Sequence, residues 1–238
     1  MSSDIQKLSY YISKAKSLNK NDFEKKIKIG LLSSFTINGL EETLQVLSFE
    51  NKIDCKTYLG NYNQYNQDIL DEESDLYKFN PDFTILIIDT RSLFGDLFFS
   101  PYTISSEKRV DYVNNRISEI KNLIETFLKR SQSKLILSTI TNPTYSPYGI
   151  FETKVGFGLQ KMVTKFNDEL INLYKDNSSV FIYDLNQFIL KFGEKNVFDY
   201  KQFFLGDIKI STNYIPSLAN ELMGYVKANL GLNKKCIV

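Results

Sequence analysis

The sequence predicts a three-layer α/β/α sandwich on a parallel sheet of about five strands, with one extra helix at the N-terminus. Three observations predict it. Short apolar runs alternate five times with amphipathic stretches from Ile27 onward. One run, residues 83–88, is apolar throughout, as in a strand buried on both faces. Two runs stop abruptly at small polar or charged residues, Ser33-Ser34 and Asp89-Thr90-Arg91, which is how strands of an open sheet end at a crevice.

The elements follow in order. Ile5, Leu8, Ile12 and Ala15 have helical spacing and predict a helix over 3–18, with Asp4 favourable at its start. Residues 19–26 are a polar entry to the first strand, 27–33. Leu40, Leu44 and Leu47 predict a helix over 38–51, and residues 53–58 the second strand, closed by Gly60 and Asn61. Residues 61–80 predict a helix broken by a turn at 71–74. Asn80-Pro81 punctuates the chain before the third strand. A short apolar helix is expected over 92–99, and the longest helix over 105–131. Val110, Val113, Ile117, Ile120, Ile124, Phe127 and Leu128 form its stripe, and Ser105 or Ser106 its cap.

The fourth strand covers 134–140, and a loop over 141–154 follows, with Pro143 and Pro147. A loop of that length without regular structure is often functional. A helix over 158–176, a strand over 180–185 and a short helix over 188–192 ending at Gly193 come next. Residues 194–214 read as irregular and aromatic. Pro216 opens the last helix, to about residue 230, and residues 234–238 resemble the start of another strand.

Composition narrows the functions. The 238 residues are enough to bury a sizeable core. Net charge is +1, so nothing draws the chain to nucleic acid or an anionic membrane. No apolar run approaches the roughly 20 residues that span a bilayer, and the N-terminus lacks a signal-peptide layout. A cytoplasmic protein is expected, with Cys55 and Cys236 as thiols and not a disulfide. The most informative count is zero histidines, which removes imidazole as base or metal ligand.

Two resemblances enter on particular residues. Leu32-Ser33-Ser34-Phe35-Thr36 resembles the Gly-Asp-Ser-Leu-Thr block of SGNH/GDSL hydrolases. Ser34 then holds the nucleophile's place, with Ser33 for the aspartate. Gly60 and Asn61 match the region of the oxyanion glycine. Asp89-Thr90-Arg91 matches the Gly-x-Asn-Asp region, without its Asn. Asp207-Ile208-Lys209 matches the Asp-x-x-His region, without its His. The second resemblance covers nearly the whole chain. Ser33-Ser34-Phe35-Thr36, Tyr65-Asn66-Gln67-Asp68-Ile69-Leu70, the stretch from Ser74 to Asp82, Tyr183-Asp184-Leu185 and Phe198-Asp199-Tyr200 resemble the N-terminal region of FkbH-like proteins. Lys234-Lys235-Cys236-Ile237-Val238 is similar to the strand that leads into that family's HAD phosphatase motif.

The resemblance implies an organisation and a function. Residues 1–26 are an N-terminal helix and linker, 27–232 an SGNH-like α/β domain, and 233–238 the start of a missing C-terminal HAD-like domain. That domain, with Mg2+, dephosphorylates a three-carbon unit and loads it on an acyl carrier protein, in polyketide or surface-polysaccharide biosynthesis. The implied partners are this chain's own HAD-like domain and an acyl carrier protein. No cofactor is implied for this chain. Its implied role is that of a degenerate partner domain without activity alone, docking the carrier or presenting substrate. The alternatives are an active SGNH-type esterase or acyltransferase using Ser34, and a small-ligand binding module.

Each site residue has a plainer reading beside the chemical one. Ser34 is a candidate nucleophile with backbone donors at Ser34 and Gly60. It has no histidine, and Asp89, Asp207 and Lys209 are poor bases at their ordinary pKa values. Capping of the next helix by Ser33, Ser34 and Thr36, or ligand contact, is the preferred reading. Arg91 is a candidate phosphate or carboxylate ligand oriented by Asp89, or half of a local ion pair. The run Asp71-Glu72-Glu73-Ser74-Asp75 reads as a solvated turn. Residues 142–148 and the aromatic stretch 198–204 are candidates for the wall of a crevice. The pairs Lys129-Arg130 and Lys234-Lys235 are candidates to meet an acidic carrier, against an ordinary charged surface.

Overall fold

The computed structural model describes residues 5–18 and 23–232. Asp4, residues 19–22 and residues 233–238, with the expected Lys234-Lys235 pair, Cys236 and final strand, lie outside the described residues.

Five strands form the sheet: β1 (Lys25–Ser33), β2 (Ile53–Leu59), β3 (Phe83–Ile87), β4 (Lys134–Ser138) and β5 (Val180–Tyr183). Around it stand α1 (Leu8–Ala15), α2 (Leu40–Glu50), α3 (Tyr65–Leu70), α4 (Asp75–Phe79), α5 (Thr90–Phe94) and α6 (Asp96–Phe99). The second half adds α7 (Ser106–Arg130), α8 (Leu159–Tyr174), α9 (Leu185–Phe192), α10 (Glu194–Val197), α11 (Tyr200–Gly206) and α12 (Ile215–Asn229). The strand order is β2-β1-β3-β4-β5, and every neighbouring pair is parallel. The order reverses between β1 and β3, and an open parallel sheet places its crevice at the C-terminal ends of the strands that flank such a reversal.

Alternation along the strands makes two cores. Ile29 and Leu31 on β1, Ile85 and Ile87 on β3, and Ile136 on β4 pack with Leu40 and Leu44 of α2 and Leu218 and Leu222 of α12. Leu32, Leu86, Leu135 and Leu137 point the other way, onto Val113, Ile124 and Phe127 of α7 and Met162 and Phe166 of α8. Each such side chain contributes about 1.5–3 kcal/mol by leaving water. The three-layer α/β/α arrangement and the stripe of α7 are as the sequence predicts. So is its cap: the Ser105 side chain accepts from the Lys108 N–H at 3.4 Å. Residues 71–74 of the acidic run make the turn between α3 and α4, and Asp75 starts α4.

Several boundaries differ, for local reasons. The helix expected over 92–99 is two helices, broken at Gly95, whose φ of +53° no helix tolerates. The break sends Phe98 to the crevice described below. α9 begins at Leu185 and not at 188, because the Asp184 carboxylate accepts from the Asn186 and Gln187 N–H groups and caps it. Residues 194–214, expected to be irregular, contain α10 and α11, the latter capped by Asp199. The loop 141–154 ends in a 3-10 helix, Gly149–Lys154. It is strapped down by the buried Glu152, which accepts from the Tyr102 and Ser146 hydroxyls and from Gln160 N–H at 3.1 Å.

Candidate functional site

The turn after β1 is knitted into the sheet edge. Ser34 is fully buried, 0% exposed. Its N–H donates to the Ile87 carbonyl at 3.1 Å, extending the β1–β3 ladder by one residue. Its Oγ accepts from the Asp89 N–H at 2.7 Å. The Ser33 Oγ accepts from Phe35 N–H at 3.1 Å, and Thr36 ties the turn to the 206–207 loop through both its N–H and its hydroxyl. The expected capping of α2 by these residues is therefore corrected. The residue before α2 is Gly39, at φ +87°, with no side-chain cap. The serines spend their hydrogen bonds holding the turn itself.

β3 ends in the second half of the site. Asp89 is 2% exposed, and one carboxylate oxygen accepts from Arg91 N–H at 2.9 Å, capping α5. The other oxygen is bound by the ammonium of Lys209, itself only 7% exposed. Lys209 also donates to the Thr141 hydroxyl at 2.7 Å and lies 5.1 Å from the ring centre of Phe198. Two buried ions cost several kcal/mol each to desolvate, and mutual contact with added hydrogen bonds offsets that cost.

The Arg91 side chain takes a different partner from the one expected. Asp89 touches only its backbone. The guanidinium is paired with Asp207 and stacked on Phe203, 4.3 Å from the ring centre. Asp207, in the left-handed region at φ +54°, also accepts from the Tyr62 hydroxyl. That hydrogen bond, and then burial, push the Tyr62 phenol above its ordinary value.

Gly60 does not have the donor role expected of it. Its N–H donates to the Leu31 carbonyl at 2.8 Å. With the Ser34 N–H also taken, neither is open to an oxyanion in this structure. The glycine is explained by space: an added Cβ would lie 2.6 Å from an Asp68 oxygen and 2.7 Å from Leu32. Asn61 is exposed in the turn beyond.

Asp68 is a buried carboxyl with the Tyr58 hydroxyl beside it, and burial raises it above the ordinary carboxylate value. Burial, and then the Asp68 charge, push Tyr58 up to about 12. A carboxyl raised by folding stabilises the protein below its unfolded pKa, and that stability is lost as pH rises through the folded value. Asp68→Asn, which keeps shape and acceptor, is expected to raise Tm at pH 7 and to change it less at pH 4. Thermal melts at the two pH values check this. A lower Tm at pH 7 contradicts it.

Three openings at this sheet edge divide the predicted residues. The first, about 40 Å³, has Asp89, Lys209, Thr141, Asn142 and Glu194 as its polar residues. Phe98, Pro143, Phe198, Tyr200 and Phe203 are its walls. A second opening holds Arg91, Asp207, Tyr62 and Thr36. A third holds Ser33 and Gly60. Ser34 lines none of these. The stretches 142–148 and 198–204 do contribute to the crevice wall. Phe98, Thr141, Glu194 and Tyr62 were not anticipated as site residues. For Phe98, the glycine inside an apolar run was the available signal.

The Ser34 turn lacks the parts of serine-based acyl transfer. A nucleophile needs access, a base and free N–H donors. Ser34 has no access, its N–H and that of Gly60 are taken, and the chain has no histidine.

Comparison with known structures places the fold. The structure resembles the N-terminal part of a Bacteroides fragilis protein described as containing a phosphatase domain complexed with Mg, with a TM-score of 0.83 and 22% identity. The match covers 97% of this chain and 59% of that one, so this chain spans well under two thirds of it. It also resembles the acetyl xylan esterase AlAXEase, with a TM-score of 0.51, 13% identity, 84% of this chain and 100% of that one. At such identities the likeness is one of fold, which is SGNH-hydrolase-like. No curated protein matches. The family model described as FkbH, N-terminal domain, matches residues 28–227, most of the chain. This chain therefore belongs to the family of FkbH N-terminal domains.

Proposed function

We propose that this chain is a non-catalytic, SGNH-derived partner domain that presents substrate to a HAD-type phosphatase domain of the same protein. The carrying observation is Ser34. The residue at the nucleophile's place is sealed under the sheet edge, and its Oγ accepts from Asp89 N–H. Lys209, just before the last helix, pairs with Asp89 near where a relay histidine would act. The fold is retained, and what stays open beside it is an aromatic-walled crevice. In this proposal the chemistry, and the Mg2+ that supports it, belong to the HAD-type phosphatase domain. The cytoplasm is the proposed compartment, in keeping with only two cysteines.

Docking of an acyl carrier protein is a second reading, favoured by the apolar mouth of the crevice. Tyr145 is 76% exposed there, and Phe204 and Leu205 are also exposed. The Lys129-Arg130 pair supports it less, because the Arg130 guanidinium donates to the Ile69 and Leu70 carbonyls.

The test begins with the natural gene read past Val238, where an Asp-x-Asp-Asn-Thr segment is expected. In that full-length protein, Ser34→Ala is expected to leave kcat of the transfer within about twofold, and Tyr200→Ala to raise KM several-fold. A loss of about 100-fold or more in kcat for Ser34→Ala overturns the reading.

A further inference from the structure

The crevice floor carries charges that are already spent. Lys209 is paired with Asp89, and the nearby Arg91 with Asp207. Glu194 adds a carboxylate to the lining, where it accepts from the Thr144 and Tyr200 hydroxyls. An incoming anion would meet no unpaired cation and would face this carboxylate. An incoming cation would face the Lys209 ammonium. The lining is otherwise apolar, and it continues into a wider groove of about 450 Å³ between Phe98, Phe99, Tyr145, Tyr200, Phe203 and Phe204. Phe98, Pro143, Tyr200 and Phe203 line both spaces. One polar valence stays unspent at the floor: an ammonium has three N–H donors, and Asp89 and Thr141 take two from Lys209.

We infer that this crevice takes a neutral, largely apolar ligand, an aryl or short acyl group, that ends in a hydrogen-bond acceptor such as a carbonyl. The acceptor meets the third N–H of Lys209, and the apolar part lies between Phe98 on one wall and Tyr200 and Phe203 on the other. About 40 Å³ at the floor admits the acceptor end, and about 450 Å³ in the adjoining groove admits the apolar part. Aromatic walls favour a flat group through edge and offset contacts. The inference rests on the substrate-presenting role and names the part of the substrate the crevice holds, a neutral acyl or aryl end, with any phosphate left outside the crevice.

The probe is prodan, a neutral naphthalene bearing a propionyl carbonyl, whose emission shifts to the blue in an apolar pocket. Titrated with the whole chain, it is expected to give a saturable blue shift. Phe203→Ala and the more exposed Tyr200→Ala are each expected to weaken binding about tenfold, and Ile171→Ala on α8 to leave it unchanged. The anion 2-naphthoate is expected to compete at least about tenfold less well than neutral 2-acetylnaphthalene. Tyr200 is about half exposed, so its variant reports on the site even where Phe203→Ala fails to fold. No saturable shift, a shift unchanged by Tyr200→Ala, or equal competition by 2-naphthoate overturns the inference. Hydrolysis of an aryl ester in the same sample is the separate readout that overturns the non-catalytic role, so the two failures are distinguishable.

Discussion

Lys209→Met is expected to cost about 3–5 kcal/mol, a fall in Tm of roughly 6–20 °C for a chain of this size. The substitution removes one partner of a buried ion pair and leaves the Asp89 carboxylate, 2% exposed, without its cation. It also deprives the Thr141 hydroxyl of its donor. The cost belongs to the orphaned charge and not to the lost attraction alone. Asp89→Asn with Lys209→Met is therefore expected to recover at least half of it. Asparagine keeps an oxygen for the Arg91 N–H and so keeps the α5 cap. A double-mutant cycle by urea denaturation measures the coupling. A single-variant loss under about 1 kcal/mol would mean that water reaches the pair, as at an exposed salt bridge.

Gly60→Ala is expected to destabilise the fold by about 1–3 kcal/mol through overpacking. The new methyl meets Leu32, which sits in the second core at 1% exposure, and an oxygen of Asp68. The Asp68 carboxyl is a side-chain end and can turn aside. Leu32, on β1, packs against the α7 layer and has little room to move. The distinction matters for function. A glycine kept to free an oxyanion donor would lose rate on substitution, whereas one kept for space loses stability. Chemical denaturation alongside an ester-hydrolysis assay separates the two, and an unchanged midpoint would contradict the packing account.

The fold was largely legible because its signals are local. The continuous apolar run 83–88, the serines after β1 and the stripe on α7 each report a strand or helix through a few neighbouring residues. The cap at Ser105 was legible for the same reason. Asp184 and Asp199 carried the same signal, a carboxylate just before an apolar helical run, but both sat inside motifs read for their resemblance. The site was less legible, because its pairings are remote. Asp89 and Lys209 are 120 residues apart, and Arg91 and Asp207 are 116 apart. No spacing rule connects such residues before the sheet order brings the strand ends together. Sequence placed Asp89, Arg91 and Asp207 at the sheet edge as site candidates but paired Arg91 with the wrong carboxylate. It left unseen that Ser34 would be covered.

The central claim is that the Ser34 turn is structural and that this chain performs no serine chemistry. A fluorophosphonate probe incubated with the whole chain, followed by intact mass measurement and aryl-ester hydrolysis, tests it most directly. The account predicts no mass increase of one phosphonyl adduct, and hydrolysis equal in wild type and Ser34→Ala at the buffer rate. A stoichiometric adduct on wild type that Ser34→Ala abolishes, with hydrolysis lost in parallel, would contradict it.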